Sequence, residues 1–249
     1  MTLLLFGFSN TVFAAEANQD PNNMMCLGCH NMTGFAMPGA DGQMKSLHVS
    51  GDEFGNSVHG GQACVSCHED VTAVPHEKGV DRKVGCVQCH RSLWDEARLS
   101  GETEEHARLG QVVDQIESYM GSVHARPSMA DQGRTNATCY DCHDAHYINP
   151  INGDEPDRAI RLTTPEVCGN CHAEILEVYQ SSVHGVEQAA GNIEAAVCID
   201  CHTPHNIETS QLDSNRLVIT ENCGNFHEES QQSYMGTYHG QINKLGYAH

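Results

Sequence analysis

Bulky apolar side chains are scarce in these 249 residues: Phe, Tyr and Trp make up 6%, all hydrophobic residues 39%, and Trp occurs once. The length suits one or two ordinary domains, yet so little Leu and Phe cannot fill the interior of either. Positive charge is scarce too. Thirteen Lys and Arg face 33 Asp and Glu, for a formal net charge of −20. That balance argues against binding nucleic acid or anionic lipid and suits partners with basic docking patches. The plainer reading is an acid excess that keeps an exported protein soluble. Long apolar runs are missing as well. The N-terminal stretch Met1-Thr2-Leu3-Leu4-Leu5-Phe6-Gly7-Phe8 is far short of the ~20 residues a membrane span needs. With Val12 and Ala14 at −3 and −1 of a cleavage position, residues 1–15 read as a secretory signal without its usual basic start. No segment keeps the period-2 alternation of a long strand.

What the chain has in excess is Cys, 13 of them, and His, 17. Twelve cysteines form six pairs, each followed at once by His: Cys26/Cys29/His30, Cys64/Cys67/His68, Cys86/Cys89/His90, Cys139/Cys142/His143, Cys168/Cys171/His172 and Cys198/Cys201/His202. The thirteenth opens Cys223-Gly224-Asn225-Phe226-His227, the same frame with Phe in the second cysteine position.

A Cys-x-x-Cys pair serves as a redox disulfide, as half a zinc site or as a haem attachment. The following His decides among them. Neither a disulfide nor a four-cysteine zinc site needs it, and six occurrences out of six are not chance at this His content. Covalent haem does need it. On one helical turn, cysteines three apart point the same way and reach two vinyl groups as thioethers, while the imidazole one residue on meets the iron. Attachment of this kind belongs outside the reducing cytoplasm, in agreement with export.

Haem iron has a second axial position, and its occupant separates electron carriers from catalysts. Candidate distal ligands recur in fixed contexts. Ser57-Val58-His59-Gly60, Ser122-Val123-His124, Ser182-Val183-His184-Gly185 and Thr237-Tyr238-His239-Gly240 form one set. His146 and His205, each three residues after a proximal His, form another, and His76 stands alone. Each of these is weighed against an ordinary surface His. Seven proximal and seven distal histidines make a consistent bis-His count, although the sequence does not say which distal His serves which haem. His48, His106 and His249 have no repeated context and are read as non-ligands. Met24 and Met25 are expected to pack near the first haem as soft apolar filler.

The second half repeats with a period of 55 to 60 residues and two motifs per unit, which divides the mature chain into a three-haem region, 16–107, and a repeat region, 108–249. Leu109, Val112, Val113, Ile116, Met120 and Val123 keep helical spacing towards His124, and Ile175, Tyr179 and Val183 do so towards His184. Extrapolating the repeat puts another Cys-x-x-Cys-His near 253 or 254, so the natural protein is expected to continue past His249. The helical spacings make the expected fold mainly α.

The six motifs, the Ser-Val-His-Gly segments and the Cys-x-x-Cys-His-x-x-His sites together resemble the doubled-motif multihaem cytochrome c proteins, exported electron-transfer proteins of respiring bacteria and archaea. The resemblance implies a mainly α fold of short helices and loops wrapped round stacked haems with little regular structure, and haem c as cofactor; the six intact motifs give six copies, and the altered Cys223 and His227 site either holds a seventh or has lost it. It also implies a periplasmic or extracellular relay between a quinol-oxidising membrane complex and a terminal or extracellular acceptor. Two rivals use the same residues. One is a multihaem reductase of a nitrogen or sulfur oxyanion, which needs an open axial position; no Cys-x-x-Cys-Lys marks one, and the Cys223 site is the place to look. The other is self-association into a conducting filament.

Overall fold

The computed structural model describes residues 22–39, 42–76, 85–127, 136–149 and 158–247; the signal read at 1–15 and His249 lie outside them. The chain divides into two compact units, residues 1–84 with 144–150, and 85–143 with 151–249.

In the first unit, α1 (Asn23–His30) ends on its own haem motif. A small antiparallel hairpin follows, β1 (Ala36–Pro38) with β2 (Met44–Ser46), too short for the alternation of a strand to register in the sequence. Then come α2 (Gly51–Asn56), capped by the Ser50 hydroxyl, and a single 3₁₀ turn at Cys64–Ser66. Asn23 is wholly buried and fastens the first motif to the second: its amide donates to the Gln62 carbonyl at 2.9 Å and accepts from the Cys64 N–H at 2.8 Å.

Among its described residues the second unit has helices and loops and no strand. It comprises α3 (Cys86–Ser100), α4 (Ala107–Gly121), α5 (Cys139–Cys142), α6 (Arg158–Gly169), α7 (Ala173–Ser181), α8 (Val183–Ala189), α9 (Cys198–His202), α10 (Asp213–Asn222), α11 (Glu228–Met235) and α12 (Tyr238–Lys244). Gly101, at φ +80°, stops α3 in the left-handed conformation that side-chain-bearing residues avoid. α4 then folds back, seating Gly110 against the ring of Trp94. The apolar spacing predicted for α4 turns Val113 and Ile116 inward.

Helical spacing misleads at the serines. Ile175, Tyr179 and Val183 read as one helix, yet α7 ends at Ser181 and Ser182 is extended (φ −79°, ψ 164°). Its hydroxyl donates to the Tyr179 carbonyl at 2.6 Å and accepts from the Gly185 N–H at 3.2 Å, ending one helix and capping the next. Thr237 does the same between α11 and α12, bonded to Tyr234 and Gly240. The expected repeat is present in three dimensions: α7 and α8 recur as α11 and α12, each shifted by 55 residues.

One ion pair holds α6 to α9. Arg161 meets Asp200 through two bonds, 3.0 and 2.9 Å, and donates further to the carbonyls of Ile193 and Ala195. Both side chains are largely shielded, 10% and 14% exposed. Removing one partner strands the other charge away from water, so Arg161→Ala should cost about 3–5 kcal/mol. Denaturant unfolding of the haem-loaded protein checks this, and a loss below about 1 kcal/mol would contradict the burial argument.

The apolar core is as small as composition predicts. Among the described residues it comprises Phe54, Ala97, Val113, Ile116 and the run Ala195–Val197. Met24, Met25, Leu93, Ile175 and Val178, by contrast, lie between 46% and 74% exposed. A polypeptide core this thin does not offset the entropy of ordering the chain. The surplus apolar surface needs a large flat partner.

Candidate haem sites

Each Cys-x-x-Cys-His segment closes a helical turn. The His68 N–H donates to the Cys64 carbonyl at 3.0 Å, His143 to Cys139 at 2.8 Å, and His172 to Cys168 at 3.0 Å. That closure puts both sulfurs and the imidazole on one side of the turn. All thirteen cysteines stand unbridged. Among the described residues no three His, Cys, Asp or Glu side chains converge as a zinc site requires.

The two sulfurs of a pair, alike in the sequence, differ in the fold. Cys26, Cys64, Cys86, Cys139, Cys168 and Cys198 open their turns half-buried, whereas Cys29, Cys67, Cys89, Cys142 and Cys171 are exposed. Among the second cysteines Cys201 alone is half-buried. Cysteine that serves packing is among the most buried residue types. These exposed thiols have no such task and are open to a reacting vinyl group.

The distal positions are where the structure adds most. Five proximal histidines each face one of the candidate distal ligands. His30 and His76 have ring centroids 6.0 Å apart with planes 10° from parallel; His68 and His146 are at 6.0 Å and 20°. His143 and His205 are at 6.0 Å and 18°, His172 and His124 at 6.1 Å and 33°, and His227 and His184 at 6.1 Å and 20°. A metal–imidazole bond is about 2 Å long and the ring adds roughly 1 Å from nitrogen to centroid, so two imidazoles sharing one metal lie about 6 Å apart. Offset-stacked rings also lie about 4.5–7 Å apart between centroids, and 6.0–6.1 Å is equally the span of two imidazoles with one metal between them.

Hydrogen bonds orient several of these rings. The Nδ1–H of His30 donates to the Leu47 carbonyl at 2.7 Å, and that of His205 to the Gln115 side-chain oxygen at 2.8 Å. A proton held on Nδ1 leaves the Nε2 lone pair for a metal. Burial holds the pKa of His68, His143, His202 and His205 below that of an ordinary imidazole, with a second histidine adding to it for His68, His202 and His205. The neutral form, which ligates, is favoured.

The recurring motifs now have structural reasons. In Ser-Val-His-Gly the Ser or Thr hydroxyl accepts a backbone N–H from the turn that carries the His: His59 at 3.2 Å, His124 at 3.2 Å, Gly185 at 3.2 Å and Gly240 at 3.1 Å. The Gly lets that turn sit on a preceding carbonyl. A Cβ at Gly185 would lie 2.1 Å from the Tyr179 oxygen, and one at Gly240 2.2 Å from that of Tyr234. The isoleucine after each Cys-x-x-Cys-His-x-x-His also has a use, since Val58 donates to the Ile148 carbonyl and Val123 to that of Ile207, both at 2.8 Å. Tyr179 reaches from α7 to the Ala196 carbonyl at 3.1 Å, and Tyr119 from α4 to that of Ala137, each just upstream of a Cys-x-x-Cys pair. Sequence reasoning assigns these two hydroxyls no role; their sixty-residue spacing is the signal that could have found them.

Residues 56–214 match the family of outer membrane cytochromes described as MtrC/MtrF-like, domains II/IV. The chain belongs to that family. It is therefore a multihaem cytochrome, a carrier of c-type haem and of electrons. No curated protein and no solved structure matches it. No helix among the described residues of this MtrC/MtrF-like cytochrome is long and apolar enough to cross a membrane.

Its remaining site histidines sit as follows. The Nδ1–H of His59 donates to the Ala145 carbonyl at 3.0 Å, beside the segment carrying His146. His90 lies in the first turns of α3, His202 closes α9, and His239 lies on α12 with its ring edge-on to Tyr238. His48 and His106, read as non-ligands, occur after β2 and at the start of α4. Within the second unit of this cytochrome, attachment sites neighbour each other in sequence order. The thiols of Cys86 and Cys139 lie close together, as do those of Cys168 and Cys198. Cys142 interacts with Cys171, and Cys201 with Cys223. In the first unit His68 interacts with both His30 and His76.

Proposed function

We propose that this cytochrome is an unbranched electron relay of closely spaced bis-His haems serving anaerobic or extracellular respiration. The observation that carries the reading is the set of five imidazole pairs at 6.0–6.1 Å, four of them within 20° of parallel. Each bound haem iron would take up and release one electron, at potentials that His/His ligation sets lower than Met/His. The polypeptide supplies everything else. Its cysteines fix each macrocycle, its imidazole pairs close both axial positions to substrate, and the proximity of Cys86 to Cys139, Cys142 to Cys171, Cys168 to Cys198, and Cys201 to Cys223 supports sites strung in sequence order.

The pairing follows two rules. A His in a Ser-Val-His segment serves a motif further along the chain, as His124 does for His172 and His184 for His227. The second His of a Cys-x-x-Cys-His-x-x-His serves an earlier one, as His146 does for His68 and His205 for His143. Exported to the periplasm or beyond, a surface of charge −20 would dock on redox proteins with basic patches.

Electron paramagnetic resonance of the oxidised protein tests the reading. Imidazole planes within 20° of parallel should give rhombic low-spin ferric signals from four of these centres, with low-spin iron at the fifth as well. A spectrum dominated by high-spin iron would sink the relay and leave the axial positions open for a reductase.

A further inference from the structure

The altered site at residues 223–227 has lost a cysteine without losing its shape. The Phe226 N–H donates to the Cys223 carbonyl at 3.2 Å, the distance at which Cys171 donates to Cys168 in the intact copy. The His227 N–H reaches the same carbonyl at 2.9 Å, against 3.0 Å for His172. Gly224 packs under Gln231 as Gly169 does under Leu176, 55 residues earlier. His184 faces His227 at 6.1 Å and 20°, inside the range of the pairs whose motifs are whole. A cavity of about 400 Å³ opens at this pair, lined by Val183, His184, Ala195, Ala196, Phe226 and His227 among others. A turn with no cofactor to hold would have no reason to keep an imidazole pair at metal-spanning distance beside such a space.

We propose that a seventh haem is bound here through a single thioether, from Cys223, with His227 and His184 as axial ligands and the phenyl ring of Phe226 in the place of the second sulfur. The Cys223 S–H bond adds across one vinyl C=C: sulfur bonds to the inner carbon, hydrogen goes to the outer one, and no electrons are gained or lost overall. The second vinyl stays unsaturated. This assignment rests on the bis-His reading of the other sites.

Peptide mapping of the haem-loaded protein by mass spectrometry separates the two claims. The fragment containing Cys223–His227 should carry the mass of one haem, and the reduced pyridine haemochrome should show a shoulder to the red of the main α-band, from the conjugated vinyl. Cys223→Ala should leave one haem extractable by acidified organic solvent while the other six remain covalent. Phe226→Cys should abolish the shoulder and keep the haem count, a readout that survives even if Cys223→Ala misfolds. Six modified motif peptides beside an unmodified 223–227 fragment would overturn the proposal alone; unmodified peptides throughout would overturn the relay itself.

Discussion

His205→Met should raise the reduction potential of the centre held by His143 by on the order of 100 mV. A thioether is a softer, weaker donor than imidazole and favours ferrous iron, and axial ligation tunes haem potentials over ~0.8 V. At 59 mV per tenfold for one electron, the shift biases electron residence at that centre by roughly 50-fold. The site lies between its Cys86 and Cys168 neighbours, so every electron crossing the unit has to climb back out, and end-to-end transfer should slow by a similar factor. Spectroelectrochemical titration reads the potential and stopped-flow oxidation reads the rate. Gln115→Leu offers a graded companion. It keeps the imidazole but removes the acceptor 2.8 Å from Nδ1, making a less basic ligand, and should raise the same potential by a much smaller amount. A titration in which no component moves on His205→Met would break the pairing of His143 with His205.

The second large effect is expected at Gly185. A Cβ there would lie 2.1 Å from the Tyr179 carbonyl oxygen and 2.7 Å from the Gln180 Cα, both backbone atoms that have no flexible end to give way. Gly185→Ala therefore has to push α8 off α7, and His184 travels with it. Overpacking of this kind costs about 1–3 kcal/mol. The sharper readout is one centre converting from low to high spin as His184 withdraws from His227. Gly240→Ala should be as destabilising, since its contact with Tyr234 is equally close, whereas Gly121→Ala, whose nearest neighbour would be 4.0 Å away, should be silent. Ala125 stands in the corresponding place after His124, so that copy is assembled without this contact. If Gly185→Ala leaves both the spin state and the unfolding midpoint unchanged, the glycine is not what seats the helix.

How much of this was legible beforehand depends on how local each constraint is. Thioether attachment places two sulfurs and an imidazole on one turn, so Cys139, Cys142 and His143 announce themselves within five residues. What the motif does not carry is how deeply each sulfur lies, because the covering of Cys26 and the exposure of Cys29 are set by chain outside the turn. Axial pairing has no local signature at all. His68 and His146 come together over a long excursion of chain, and only the fold says that His146 faces His68 instead of its own neighbour His143. The Ser-Val-His-Gly pattern was visible as a recurrence but not as a device, because a cap on Gly185 and a carbonyl under its Cα leave no trace in periodicity. For the same reason, apolar spacing ran Tyr179 and Val183 into one helix that Ser182 divides. The bidentate pair of Arg161 and Asp200 was hidden by its own distance along the chain. The mainly α fold was legible from what was missing, since a chain with so few bulky apolar residues must organise itself around something else.

On the proposed pairing, the two rules also impose a schedule. A chain exported N-terminus first would present His124 before the His172 motif emerges, so that ligand would wait for its haem. The reverse holds for the haem attached beside His68, whose partner His146 arrives later. If emergence keeps pace with synthesis at ~5–20 residues per second, the delay is on the order of ten seconds. During that interval the young site has one axial face uncovered, exposed to stray thiols, peroxide or carbon monoxide. Sites of the first kind are born closed and sites of the second kind are born vulnerable, and the two kinds occur in the same molecule.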